Sequence, residues 1–297
     1  MPQAPRDLVL ARAGASSLHP RWLDGGAPRD WDLVVVPYQE LPAQPSGVTL
    51  VTDVVPGPKW TGLREVLKRW DGWREYDHVW MPDDDIHADQ ATISAMFAAA
   101  GAAGLDLFAP ALHEDSYYAH YSTMVNRRLH GRRTGFVEIM VPGFSSAALE
   151  ALLWTLDLTE TGWGWGLDSL WPKLLDHRNV GILDATPVLH TRPVGRLRDP
   201  ELERRVHGES DRILADYDCG QVHTTFQALG PGFAPLDLEG PELLAELVAG
   251  WQYLIERDAR VLSWIAEYQR SQFTCPAYPV EGTPDVRPRP ARVPAAA

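Results

Sequence analysis

The sequence predicts an α/β protein: a single domain on a mainly parallel central sheet, with further helices at its C-terminal end. Three observations carry that reading. Short apolar, β-branched-rich runs bounded by Gly and Pro recur through the first two thirds of the chain, as strands buried on both faces do. Helix-forming stretches separate them, which is the pattern of right-handed βαβ units. One run ends directly in three carboxylates, at the sheet edge where open α/β folds bind their ligands.

The strands expected in order are RDLVLARAG (6–14), DWDLVVVPY (30–38), GVTLVTDVV (47–55), YDHVWMPDD (76–84) and LDLFAPAL (105–112). Between the third and fourth, LREVLKRW spaces Leu63, Val66, Leu67 and Trp70 along one helical face. Between the fourth and fifth, ADQATISAMFAAAGAAG is rich in helix formers and ends in Gly, as helices commonly do. Residues 117–135 turn polar around NRRLHGRR (126–133) and read as a loop or a hairpin with a mobile connection. FVEIMVPGFS (136–145) then reads as a strand, SSAALEALLWTL as a helix and VGILDATPVLH (180–190) as a late strand. Beyond Pro200 the text is helical, in DPELERRVHGESDRILADY and in one long segment from Pro241 to Phe273.

Composition narrows the classes. A chain of 297 residues that is 45% hydrophobic and 23% charged buries a sizeable core and is not wholly disordered. No stretch has the roughly 18 apolar residues of a membrane span, and Arg12 breaks the early run, so neither a span nor a signal peptide is expected. Two cysteines, Cys219 and Cys275, do not make a disulfide framework or a zinc site, and a cytoplasmic setting follows. The net charge of -13 repels polyanions, which disfavours nucleic acid as a partner and requires any anionic ligand to be held locally. A divalent metal ion supplies that charge. Twelve tryptophans either pack the core or offer faces to sugar rings.

Asp83, Asp84 and Asp85 follow HVWMP. Carboxylates that close repel one another unless a cation compensates, and Mg²⁺ or Mn²⁺ commonly bridges one or two of them to a substrate's phosphates. The other reading is an acidic turn capping a helix from Ile86. GWGWGLD (162–168) joins three glycines to the faces of Trp163 and Trp165 and to Asp168, which suits a sugar stacked on indole and bonded to a carboxylate. The alternative is a tight, tryptophan-filled turn. His190 ends the late strand and reaches the same edge, as a metal or phosphate ligand or as a structural histidine. Arg127 and Arg128, in the basic stretch, either close over a diphosphate or hold an anionic acceptor, or are simply solvated. Glu138 bonds acceptor hydroxyls or serves structure.

SSLHPRWL, GPKWTGL, YDHVWMPDDDIHAD, LFAPAL, VEIMVPGFS, GWGWGLD and DATPVLHTRPVG, in that order over about residues 6–195, resemble the motifs of the domain-of-unknown-function family number seven hundred and seven, which belongs with the GT-A glycosyltransferases. The resemblance implies a GT-A-like catalytic domain at 1–199; outside it, the helical pattern gives an extension at 200–279 and a Pro-, Arg- and Ala-rich end gives a disordered tail at 280–297. The resemblance also implies a metal-dependent glycosyltransferase that uses a nucleotide-sugar donor, with Mn²⁺ or Mg²⁺ as cofactor and a glycan or small molecule as acceptor. The Asp-x-Asp pattern falls on Asp83 and Asp85, with Asp85 the direct ligand and His190 completing the metal site. Donor contacts fall on Ser17, His19, Lys59, Asp83 and Asp84. Asp168 matches the catalytic base of inverting members, and Glu138, Trp163 and Trp165 face the acceptor. Two readings compete with this one: a nucleotidyltransferase-like or phosphoester-cleaving enzyme on the same metal site, and a non-catalytic carbohydrate-binding protein.

Overall fold

The computed structural model describes residues 6–25, 29–194 and 199–272. In chain order its strands are β1 (Asp7–Ala13), β2 (Trp31–Pro37), β3 (Leu50–Val51), β4 (His78–Trp80), β5 (Ile86–His87), β6 (Leu107–Leu112), β7 (Gly131–Gly135), β8 (Gly143–Ser145), β9 (Val180–His190) and β10 (Val222–Leu229). The helices are α1 (Lys59–Arg69), α2 (Gln90–Ala103), α3 (Ser146–Leu152), α4 (Leu167–Leu174), α5 (Pro200–Asp216), α6 (Gly240–Gly250), α7 (Gln252–Arg257) and α8 (Arg260–Gln272). The expected tail at 280–297 lies outside the described residues.

One sheet runs β10-β7-β9-β6-β8-β4-β1-β2-β3, and β5 pairs with β9. β1 lies parallel to β2 along its whole length and parallel to β4 from Asp7 to Val9, and β6 is parallel to β9. Only β7 and β8 run against the other strands of this path, so the sheet is mostly parallel and the fold is α/β. β1 and β2 are apolar and buried nearly throughout because α1 covers them with Leu63, Val66 and Leu67. Asp89 caps α2 by accepting from the Thr92 amide at 2.8 Å, and Gly104 ends it at φ +60°. The acid triplet therefore does not cap a helix, since β5 stands between it and α2. Seven tryptophans, Trp22, Trp31, Trp60, Trp73, Trp80, Trp171 and Trp251, are fully buried core residues.

Three expectations are corrected. Residues 131–135 are not a loop: GRRTG is the interior strand β7, between β9 and the edge strand β10. Arg132 lies there with no exposed surface because Asp184 on β9 pairs with it at 3.0 Å and the Ser122 and Met124 carbonyls take its other donors. FVEIMVPGFS is a strand only at 143–145; residues 136–142 leave the sheet and turn toward the acid triplet. The C-terminal region is not only helical, since QVHTTFQAL supplies the edge strand β10. Its long helical segment is three helices, α6 ending at Gly250, where a Cβ would lie 1.8 Å from Asn126 Oδ1. Among the described residues no helix is long and apolar enough to cross a membrane.

Candidate active site

The acid triplet leaves β4 at the carboxyl edge of the parallel strands. The Met81 and Asp83 amides bond the carbonyls of Pro142 and Met140 at 2.8 Å each, so the 136–142 turn is seated against the triplet. β5 then pairs antiparallel with the end of β9, placing Ile86 opposite His190. This brings His190 Nε2 to 3.3 Å from Asp85 Oδ2. His190 Nδ1 lies 2.7 Å from the Tyr117 carbonyl and donates to it, which leaves Nε2 as the nitrogen free to ligate once the ring is neutral. Asp85 Oδ1 is buried and has no partner. Burial alone would raise Asp85, but His190 and Arg192 outweigh it and hold the carboxyl below its ordinary range.

The other two aspartates are engaged. Asp83 Oδ1 takes Lys59 Nζ at 2.7 Å. Asp84 accepts from the Tyr38 hydroxyl at 2.8 Å and from Arg192 at 3.0 Å. Asp83, Asp85 and His190 therefore do not converge as three ready ligands. Among the described residues the group whose ligand atoms do lie together is His113, Glu114 and Asp115, and Arg127 and Arg257 pair with its acids. Asp85 and His190 nevertheless fit a hard divalent ion: one orphaned carboxylate oxygen, one imidazole nitrogen and remaining positions for phosphate and water.

Beside the triplet is a cavity of about 270 Å³ lined by Arg12, Tyr38, Gly57, Pro58, Lys59 and the three aspartates. Arg12, Tyr38 and Arg192 were not anticipated. Arg12 is buried at the end of β1 and bonds the carbonyls of Val36, Pro37, Val55 and Gly57, tying together the segments that form the cavity. The one signal for it is a charge inside an apolar strand. Ser17 and His19 lie next to the triplet, since the Leu18 amide donates to the Asp84 carbonyl at 2.7 Å, but they do not line the cavity. Gln44 donates to the Pro42 carbonyl, so its Oε1 accepts from His19 Nε2 at 2.7 Å. His19 Nδ1 then accepts from Ser17 at 2.7 Å, and burial lowers the imidazole and keeps it neutral.

A second group of residues reaches the triplet through Glu138, which lies within electrostatic range of Asp83, Lys59 and His190 and also of Asp168. Gly162 and Gly164 adopt φ of +74° and +78°, and a Cβ on them would lie 2.0 Å from Thr61 Oγ1 and 2.4 Å from the Trp60 ring. Their close fit to the start of α1 fixes the segment that leads into α4, whose second residue is Asp168. Asp168 is buried, and desolvation lifts it to about 7 although the Ser169 hydroxyl and nearby amides oppose the shift. Glu138, on the 136–142 turn, is pushed to about 8 by burial and by the charges of Asp168 and Asp83, and its Oε2 has no partner. Trp163 is half-buried with its indole N–H unpartnered, whereas Trp165 packs edge-on against His207 of α5 at 4.8 Å. Arg127 and Arg128 are not brought to the cavity: Arg127 pairs with Glu114 and lies over Tyr253, and Arg128 grips Glu246 of α6 at 2.9 and 3.1 Å.

Fold and site together define an α/β protein with an acid–histidine cluster at its strand ends and two unneutralised carboxyls beside it. The family described as "Protein of unknown function (DUF707)" matches residues 129–213, a stretch holding Glu138, Asp168 and His190. The resemblance to this family is shown there; the acid triplet and the motifs before it lie outside that stretch. No curated protein matches the chain. Among solved structures, the crystal structure of S. aureus TarS is 14% identical with a TM-score of 0.43, over 71% of this chain and 42% of that one. The chain thus spans less than half of that protein's length. The structure of S. aureus TarS 1–349 in complex with UDP-GlcNAc is 13% identical with a TM-score of 0.43, over 90% and 89%.

Proposed function

We propose that this chain is a divalent-metal-dependent glycosyltransferase of GT-A type, moving a sugar from a nucleotide-sugar donor to an acceptor hydroxyl on a glycan or small molecule. The observation that carries the reading is the orphaned Asp85 Oδ1 beside His190 at the strand edge, with the raised Glu138 carboxyl within electrostatic reach of that histidine. Asp85 and His190 would hold Mn²⁺ or Mg²⁺, which offsets the negative charge that builds on a departing diphosphate. Arg192 pairs with Asp84, and Arg12 lines the cavity beside the acids, so both offset part of the negative charge there.

Asp168 takes the proton of the attacking hydroxyl. A base titrating near 7 is matched to that task, because a large share of it is ionised at neutral pH and it still binds a proton readily. Glu138, mostly protonated at neutral pH, donates a hydrogen bond to the acceptor and spares Asp168 a second charge at close range. Trp163 offers an indole face to the sugar.

The test is to incubate the protein with a panel of nucleoside diphosphate sugars and Mn²⁺ or Mg²⁺ and to identify the nucleotide released. Metal-dependent release of nucleoside diphosphate that chelator abolishes supports the transferase. Nucleoside monophosphate with sugar phosphate would show phosphoester cleavage instead, and no release in any combination would contradict both.

A further inference from the structure

Lys59 opens α1 where a cation is least favoured. Aligned peptide dipoles leave partial positive charge at a helix N-terminus, so an ammonium there is destabilising unless oxygens surround it. They do. The side chain is 13% exposed, and its three donors reach Asp83 Oδ1 at 2.7 Å, the Ile139 carbonyl at 2.7 Å and the Met140 carbonyl at 2.9 Å. An ammonium has three donors and no acceptor, so none is left for a nucleotide, which was its expected partner.

The three contacts join two different parts of the site. Asp83 belongs to the acid triplet. Ile139 and Met140 belong to the turn that carries Glu138, and the Met140 carbonyl also accepts from the Asp83 amide. The next two residues widen the junction: the Trp60 amide donates to the Gly162 carbonyl at 3.1 Å, and Thr61 lies against Gly162, in the segment leading to Asp168. The first residues of α1 thus touch the metal side, the Glu138 turn and the Asp168 segment.

We propose that Lys59 is a positioning residue that couples cation binding at the acid triplet to the placement of Glu138, so the acceptor side is assembled only when the donor side is filled. This rests on the metal-dependent reading of Asp85 and His190. A divalent cation there attracts the Asp83 carboxylate and repels the ammonium, and both effects weaken the Lys59–Asp83 contact. Lys59 is then held by the two turn carbonyls alone and draws the 136–142 turn onto α1.

Hydrogen exchange of residues 136–141, in the full chain with and without Mn²⁺ alone, tests this beside a calorimetric Mn²⁺ titration. Exchange in the wild type should slow several-fold on saturation. In Lys59→Met that response should vanish while Mn²⁺ binds several-fold more tightly, because Asp83 has lost its counter-ion. If Lys59→Met does not fold, Lys59→Arg keeps the charge but cannot direct three bonds to the same points, and should show a weakened response. Mn²⁺ that binds the wild type and leaves this exchange unchanged, or a full response in either variant, overturns the coupling. Absence of Mn²⁺ binding to the wild type removes the metal reading and the coupling with it, and the calorimetry tells that result from a bound but uncoupled ion.

Discussion

The two sides of the site treat their carboxylates differently. Each acid of the triplet has a cation or donor of its own: Asp83 has Lys59, Asp84 has Tyr38 and Arg192, and Asp85 has His190. Glu138 and Asp168 are as buried as Asp85, but among the described residues neither is in an ion pair, and both are raised far above the ordinary carboxyl range. The difference separates two tasks. Matched carboxylates are fixed in place by their partners, which suits seating a cation; unmatched buried carboxyls hold or give up a proton near neutrality, which suits acid–base work.

The comparison is broken most directly at Asp168. Asp168→Asn should lower transfer by about 10²-fold or more while metal and nucleotide affinities stay at wild-type values. Equal turnover in the variant would show that the unmatched side does no chemistry.

A smaller effect sharpens the contrast through stability. A carboxyl raised in the folded state binds its proton more tightly there than in the unfolded chain. Its contribution is therefore complete below the unfolded value near 4.5 and is lost as pH rises through about 8. Glu138→Gln should leave stability unchanged at pH 4 and raise it by on the order of 2 kcal/mol at pH 9, in denaturant titrations with chelator present. A variant less stable than wild type at pH 9 would mean that Glu138 has a partner when charged.

The smallest effect is expected outside the site. Arg127→Ala with Arg128→Ala removes two ion pairs whose arginines are more than half exposed, and should change stability by no more than about 1 kcal/mol. Nucleotide affinity should not move in the double variant, and a several-fold loss would return the basic stretch to the site.

Much of the triplet side was legible because strand ends are local signals. β1, β2 and β9 fall within a residue or two of their expected limits, and the triplet and His190 stand where apolar runs stop. What escaped depends on distant partners. β7 reads as a basic loop because nothing near Arg132 in sequence announces Asp184, the carboxylate that lets a guanidinium sit in an interior strand. β10 is a strand because β7 needs a neighbour, and its own residues alternate weakly. The 136–142 segment has a strand's composition, yet its main chain turns to meet Lys59 and Asp83, a bond pattern that composition does not encode. Arg12 stands out in sequence only as a charge in an apolar strand, and what it and Arg192 join depends on segments far apart in the chain.

The most direct measurement of the central claim is calorimetry of nucleoside diphosphates with Mn²⁺, Mg²⁺ or chelator on wild type and Asp85→Ala. The account predicts a nucleotide that binds wild type only with metal and binds Asp85→Ala at least about 10-fold more weakly. Equal, metal-independent affinity for both proteins would contradict it.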